Sequence, residues 1–371
     1  MRILHIGKYY PPHNGGIEKT TQDIVEGLNQ LGIKCDVLAL SDDKEVEDYS
    51  DKSYNVFITA TNLKAYSGAV SLNYIKKFKS IANDYDIIHV HFPNPIACLA
   101  ILSSNTKAKI VIHWHSDIMN KPLLYFFYKP LEKKALKKAT RIIVTSANYL
   151  KFSNVLKCYK DKCLILPSCC EPVPSKDNLF LRQKYGLSNE LKIIFSLGRL
   201  VTYKGFEYLI ESGKYLNGKY RIYIGGDGPL MDDLQMKIRK LKLEDQVILL
   251  GKLTDEEVSD YYNLCDIFCL PSIKKSEAFG LVQCEAFSIG KPVISTSIVG
   301  SGVSWVNQNN VTGKVVSPMD AQAIANAIIE ICSDNTLYEH LSKNAIERYR
   351  AFFKKEFMID QLVKYYKDIL I

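Results

Sequence analysis

The chain has 371 residues, 47% of them hydrophobic and 24% charged, with a formal net charge of +8. That length is too great for one ordinary core and predicts two domains of common soluble composition. No apolar run reaches the ~18 residues of a membrane span, and the start, Met1 to Gly7, is a short apolar run into a glycine turn with no cleavage site, so a cytosolic location is expected.

Ile3 to Ile6 reads as the first strand. It leads through Lys8-Tyr9-Tyr10-Pro11-Pro12-His13-Asn14-Gly15-Gly16 into a helix over Ile17 to Leu31. Gly15 and Gly16 lack Cβ atoms, and helix starts carry free N–H groups, so the pair fits an anion-approach loop. It fits an ordinary helix-capping turn equally well, and it is not the G-x-G-x-x-G of a dinucleotide dehydrogenase. Strands follow at Lys34 to Leu40, Val56 to Thr59, Ile87 to His91, Lys109 to His113 and Arg141 to Thr145. Strands alternating with amphipathic segments predict a parallel α/β sheet with helices on both faces.

His89-x-His91 and His113-x-His115 each project from one strand face. Four histidines suit zinc, but no carboxylate flanks them at helical spacing, and hydrogen-bonded histidines are common at strand ends in such sheets. No metal is therefore expected. The ten cysteines are scattered, with none in a paired C-x-x-C pattern. Cys265 and Cys269 fall in an apolar stretch and read as packing residues.

Residues 121–141 hold seven basic side chains, one acid and four aromatics. Such a segment suits an anionic lipid surface or, more plainly, a solvated lysine face. Pro130 divides it, and its second half reads as a helix. No nucleic-acid recognition module accompanies the positive charge. Pro167, Pro172 and Pro174 then mark a hinge.

The alternation restarts after the hinge, with strands at Leu191 to Leu197, Arg221 to Gly225, Val247 to Leu250, Ile267 to Leu270 and Pro292 to Thr296. Helices are predicted at Phe206 to Lys214, Met231 to Leu241 and Asp255 to Asn263. Leu337 to Ile371 reads as helix, broken near Ala351-Phe352-Phe353. Ligands of parallel sheets bind beyond the carboxyl ends of strands. There stand Gly198-Arg199-Leu200 and Tyr203-Lys204-Gly205, whose guanidinium fork and ammonium suit a pyrophosphate if they are not simply solvated. Farther on, Glu277 precedes Gly280 in a loop, and Glu285 lies eight residues later, one turn into a helix. Spacing alone leaves these two as a capping and a surface glutamate.

Taken together these motifs resemble the large retaining glycosyltransferase family called family four. They are the E-x7-E pair Glu277 and Glu285, Gly-Arg-Leu…Lys-Gly at 198 to 205, and Gly225-Gly226-Asp227-Gly228-Pro229-Leu230. PSIKKSEAFGLVQCEAFSIGKPVIST, SGVSWV, KYYPPHNGGIE and HWHSDI look like a branch that builds bacterial surface polysaccharide with mannose or rhamnose donors. The resemblance covers nearly the whole chain. It implies the GT-B fold: two Rossmann-like domains, 1–167 for the acceptor and 168–350 for the nucleotide sugar, facing a central cleft, with 351–371 packing back on the first. It implies that Arg199 and Lys204 bind the donor pyrophosphate, Glu277 the sugar hydroxyls and Glu285 the ribose. Gly15, Gly16, Gly198, Ala278, Phe279, Gly280 and Leu281 would line the donor, and His115 would sit beside the transferring sugar. Asp117 is a further candidate for acceptor contact. The family's Asn-Gly pair after the hinge proline is here Ser168-Cys169.

The implied reaction moves a hexose, GDP-mannose-like by branch, to a hydroxyl of a polyprenyl-diphosphate-linked glycan in O-antigen synthesis at the inner face of the cytoplasmic membrane. No cofactor or metal is expected. A UDP-hexose or UDP-N-acetylhexosamine donor, a nucleotide-sugar 2-epimerase and a noncatalytic nucleic-acid-binding protein stand as alternatives. The epimerase would not need the E-x7-E pair.

Overall fold

A computed structural model describes residues 1–371 other than 14, 44, 46, 52, 66, 67 and 119–121. The protein forms two compact units, Met1–Ser168 with Lys355–Ile371, and Cys169–Lys354.

The first unit is built on a sheet of eight strands: β1 (Arg2–Ile6), β2 (Lys34–Ser41), β3 (Tyr49–Asp51), β4 (Tyr54–Ala60), β7 (Ile87–Phe92), β8 (Lys109–Trp114), β9 (Arg141–Val144) and β10 (Cys163–Ile165). A short hairpin of β5 (Leu63–Ala65) and β6 (Gly68–Val70) stands apart from it. The sheet order is β10-β9-β8-β7-β1-β2-β4-β3, parallel except for β3 against β4. Every residue of β7 is buried, as a strand covered on both faces must be. The order reverses between β1 and β7, the kind of switch point at whose carboxyl-end side ligands of parallel sheets bind.

Around this sheet lie α1 (Gly16–Gln30), α2 (Leu72–Ile81), α3 (Pro95–Leu102), α4 (Pro122–Lys138) and α5 (Ala147–Phe152). Helix α1 buries Thr20, Thr21, Ile24, Val25 and Leu28 at helical spacing. The C-terminal helix Lys355–Leu370 packs on α1. A Cβ on Gly27 of α1 would lie 2.7 Å from Ile359 Cγ1, so glycine permits the close crossing.

Pro130 does not divide the basic segment, which is one helix with the proline inside. Proline removes the N–H that would meet the Phe126 carbonyl. Phe126 is 71% exposed, so solvent can take over that bond and the helix continues. Lys121 lies outside the described residues.

The second unit has six parallel strands: β11 (Lys192–Leu197), β12 (Tyr220–Gly225), β13 (Val247–Gly251), β14 (Ile267–Leu270), β15 (Val293–Thr296) and β16 (Gly313–Val316). Their order is β13-β12-β11-β14-β15-β16, which reverses between β11 and β14. The helices begin with α6 (Asn178–Lys184), α7 (Phe206–Ser212), α8 (Met231–Leu241), α9 (Asp255–Leu264) and α10 (Val282–Ser288). A reciprocal Thr254–Glu257 capping box starts α9. The loops leaving β11 and β14 meet at this switch point, and they carry the predicted cations and carboxylates.

Candidate active site

In the second unit the chain leaves β11 through Gly198 and the exposed Arg199, then makes a single tight turn over Thr202–Lys204. Gly205 follows in the left-handed region, φ 67°, and starts α7. This turn folds Lys204 back into the protein, where it is 9% exposed. Its Nζ lies 2.6 Å from Glu277 Oε2. Burial works against the ammonium, but the Glu277 carboxylate outweighs it and holds the lysine above its usual range. Lys204 is thus no solvated surface cation. Arg199 has no ion-pair partner among the described residues.

Glu277 is 8% exposed and also accepts a hydrogen bond from Ser272 Oγ at 2.9 Å. Its loop is tied to the end of β15 and to the loop that follows it. Thr296 Oγ1 donates to the Ser272 carbonyl, and Ser301 Oγ donates to the Glu277 carbonyl. The Ala278 carbonyl accepts from the Gly302 N–H at 2.8 Å. Phe279 is buried near Trp305 and Phe353. Gly280 has φ 76°, and Leu281 precedes α10. Among the described residues, the N–H groups of Phe279, Gly280 and Leu281 donate to no backbone carbonyl. They follow Glu277 in the chain, and N–H groups left open in a turn of this kind are suited to accept an anion.

Glu285 accepts a 2.6 Å hydrogen bond from Tyr262 on α9. Burial pushes its carboxyl up, and the Tyr262 hydroxyl and the Lys204 charge hold it down. A carboxylate braced in this way is suited to accept paired hydroxyls. Sequence reasoning named the two glutamates but missed the groups that orient them. Ser272 stands just past the Leu270-Pro271 strand end, a usable signal, whereas Tyr262 looks like any core tyrosine of an amphipathic helix.

In the first unit, Gly15 is the extended residue before α1 and Gly16 opens the helix. A Cβ on Gly16 would meet no atom of the described residues within 4 Å. His115 lies just beyond β8, half-buried, with its Nε2 2.9 Å from His91 Nδ1. Register places His5 opposite His89 and His91 opposite His113, so five imidazoles share one face of the sheet. Burial lowers all five, His5 to about 3 and His115 to about 4. Ligand-capable atoms of His5, His89 and His91, and of His91, His113 and His115, lie within 4.8 Å of one another. The Asp117 carboxylate accepts from Trp114 Nε1 at 3.0 Å and Ser153 Oγ at 3.1 Å, bonds that brace the strand end.

A cavity of about 380 Å³ lies beside α4, lined among others by Asp117, Tyr125, Glu132, Asn154 and Tyr159. Glu132 is 1% exposed. Burial pushes its carboxyl up to about 7, against the 2.9 Å hydrogen bond from Tyr125. A carboxyl raised in the folded state contributes stability below its unfolded value, about 4.5, and loses it as pH rises through 7. Glu132→Gln is therefore expected to gain about 2–3 kcal/mol over the parent near pH 8 and less than about 1 kcal/mol near pH 5. Urea unfolding at both pH values measures this, and equal differences at the two would contradict it.

Comparison with known proteins follows the same division. Residues 14–153 match the family described as Glycosyltransferase Family 4, and residues 177–348 match Glycosyl transferases group 1. O-antigen chain mannosyltransferase C of Escherichia coli is 31% identical over 100% of this chain and 99% of its own length. D-rhamnosyltransferase WbpZ of Pseudomonas aeruginosa is 31% identical over 95% of this chain and 92% of its own. Among solved structures, sucrose-phosphate synthase of Thermosynechococcus elongatus superposes with a TM-score of 0.82 at 21% identity, covering 99% of this chain and 98% of that one. HepE of Anabaena, solved in complex with UDP, gives 0.80 at 19% identity, covering 99% and 100%. Two units, each on a largely parallel sheet with a switch point, form the GT-B fold, which these neighbours share and which the matching glycosyltransferase families have. The chain belongs to the glycosyltransferases of that fold, on the side of their group 1 and family 4 members.

Proposed function

We propose that the protein is a retaining hexosyltransferase that takes its sugar from a GDP-mannose-like donor and places it on a hydroxyl of a lipid-linked glycan during surface-polysaccharide synthesis. The observation that carries this reading is the array at the second switch point: Arg199, the Lys204–Glu277 pair and the braced Glu285. Breaking an anomeric C–O bond loads negative charge on the departing β-phosphate while the sugar becomes oxocarbenium-like. Arg199, Lys204 and the free N–H groups of the Phe279–Leu281 turn are suited to hold that charge, so no metal is invoked. Glu277 accepts sugar hydroxyls, and Glu285 accepts the ribose pair. The acceptor hydroxyl attacks from the face the nucleotide leaves, and the departing phosphate oxygen takes its proton. The two 31%-identical relatives, a mannosyltransferase and a D-rhamnosyltransferase, favour such a donor.

Thermal-shift measurement against GDP, UDP and their sugars tests the donor, with GDP-mannose expected to raise Tm. Stabilisation by UDP-sugars alone would transfer the reading to a UDP-hexose or UDP-N-acetylhexosamine enzyme. Epimerised donor formed without acceptor would replace transfer by epimerisation. A product of inverted anomeric configuration, read by NMR, would refute retention.

The lipid-linked acceptor implies work at the cytoplasmic membrane surface, and α4 supports it. No helix among the described residues is long and apolar enough to cross a membrane. On α4, Phe126 and Phe127 are both 71% exposed, next to the exposed Lys129, Lys133, Lys134 and Lys137. Lys138 differs, because its Nζ donates to the Ile101 and Ser104 carbonyls and holds α4 to α3. Exchanging Lys133, Lys134 and Lys137 for glutamate is expected to weaken binding to vesicles containing phosphatidylserine by about 100-fold, at ~1 kcal/mol per lysine. Unchanged sedimentation with vesicles would reject the surface.

A further inference from the structure

We infer that Tyr366, on the C-terminal helix, fixes the tautomer of His115 through a buried file of histidines, leaving His115 Nδ1 as a bare hydrogen-bond acceptor. Two branches run from the tyrosine hydroxyl. One passes from Tyr366 Oη to His5 Nε2 at 3.3 Å, from His5 Nδ1 to His91 Nε2 at 3.0 Å, and from His91 Nδ1 to His115 Nε2 at 2.9 Å. The other passes from Tyr366 Oη to His89 Nδ1 at 2.6 Å and from His89 Nε2 to His113 Nδ1 at 3.3 Å. His5, His89, His91, His113 and Tyr366 are all at most 2% exposed. The rings stack as well, His91 on His115 at 5.2 Å and His5 on His89 at 4.2 Å.

Burial keeps these imidazoles neutral, so each has one N–H and one lone pair. A neutral ring that donates at one nitrogen must accept at the other. The direction of one hydrogen bond therefore sets all the rest, and the single hydroxyl hydrogen of Tyr366 stands where the branches meet. A separation of 2.6 Å suits O–H···N and is short for N–H···O, whereas 3.3 Å is too long for the stronger bond and leaves the His5 contact as a long, weak N–H···O. Tyr366 accordingly donates to His89 Nδ1 and accepts from His5 Nε2–H. His5 Nδ1 then accepts from His91 Nε2–H, and His91 Nδ1 accepts from His115 Nε2–H. His115 Nδ1, which has no partner among the described residues, keeps its lone pair. Down the other branch the last proton falls on His113 Nε2, a buried nitrogen without a partner. That orphan group is the cost of the arrangement.

A bare Nδ1 accepts a hydroxyl proton and rejects a carbonyl or phosphate oxygen. His115 would then recognise a sugar O–H as donor, a consequence that rests on its place beside the transferring sugar. Tyr366 acts through His5 and His91 and is a positioning residue.

The test is long-range 1H–15N NMR of the histidine rings in the full-length protein without substrate, followed by the Tyr366→Phe variant. His115 is expected to show a pyridine-type Nδ1 and a protonated Nε2. In Tyr366→Phe the two nitrogens are expected to move towards averaged shifts, and turnover to fall ~5–10-fold, the worth of one oriented hydrogen bond. A protonated Nδ1 in the parent, or unchanged ring shifts in the variant, would overturn the inference. So would one equivalent of zinc held by the file, because a coordinated nitrogen carries no proton. The ring shifts need neither donor nor acceptor. A tautomer found as expected in a protein that transfers no hexose would count against the glycosyltransfer reading alone.

Discussion

Lys204→Met is expected to lower turnover by about 100- to 1,000-fold, the range for loss of one charge-stabilising contact in a transition state. The same substitution also removes the cation from Glu277, whose carboxylate then remains buried with Ser272 Oγ as its one side-chain partner among the described residues. Breaking one side of a buried pair typically costs ~3–5 kcal/mol, so lost activity alone would be ambiguous. The double variant Lys204→Met/Glu277→Gln resolves it when its turnover is compared with that of Glu277→Gln alone, because Glu277 is itself proposed to hold the sugar. A neutral amide in place of the unpaired carboxylate is expected to restore most of the stability in urea unfolding and none of the turnover. Arg199→Ala supplies the complementary case. The guanidinium is exposed, so its removal is expected to shift stability by no more than ~0.5 kcal/mol while cutting turnover at least tenfold. If both single variants kept near-parental turnover, the pyrophosphate assignment would fall. Loss of turnover in step with stability, recovered in the double variant, would leave Lys204 a structural role only.

Legibility in the sequence followed the range of the interactions. Strands such as Ile87–Phe92 and Ile267–Leu270 are buried on both faces, and short segments rich in Ile, Val, Leu and Phe announce them, interrupted only by His89 and His91 in the first and Cys269 in the second. The edge strands Cys163–Ile165 and Gly313–Val316 went unread, because their short segments resemble loops until neighbouring strands pair with them. Pro130 misled for a local reason, since proline stops a helix only where the orphaned carbonyl cannot be solvated. Glu277 and Glu285 were visible through their spacing within a family pattern. Thr296, Ser301 and Tyr262 were not, because each bonds across a sequence separation that only the folded sheet closes, whereas Ser272 lies five residues from Glu277 and its place past a strand end was the one signal open to sequence reading. The histidine pairs show the same boundary. Alternation puts His89 and His91 on one face, but their meeting with His5 depends on strand register, and the part of Tyr366 on a helix more than 200 residues away in sequence.

Gly226→Ala is expected to be the most damaging single methyl group in the second unit's site. Gly226 has φ 126°, where side chains are strained, and its Cβ would lie 2.0 Å from the Gly198 carbonyl oxygen. The strain and the overpacking each cost on the order of 1–3 kcal/mol. Relief must come from the Gly198 backbone, because Gly226 is itself tied to the Gly251 carbonyl through a 2.8 Å hydrogen bond. Gly198 immediately precedes Arg199, and the Lys204 side chain lies across it, with Cε 3.2 Å from where a Cβ would stand. One methyl on the loop after β12 therefore displaces both cations, and a shift near 1 Å is worth about 100-fold in rate. Gly16→Ala is the control with the opposite signature. No atom of the described residues lies within 4 Å of its added methyl, and alanine favours the helix that begins there, so Tm should hold or rise slightly. If Gly16 is where the donor phosphates approach, the donor KM should increase several-fold without loss of fold. Gly226→Ala with parental Tm and turnover would mean that the two loops are not mechanically joined. Gly16→Ala with unchanged donor KM would mean that the glycine serves only to start α1.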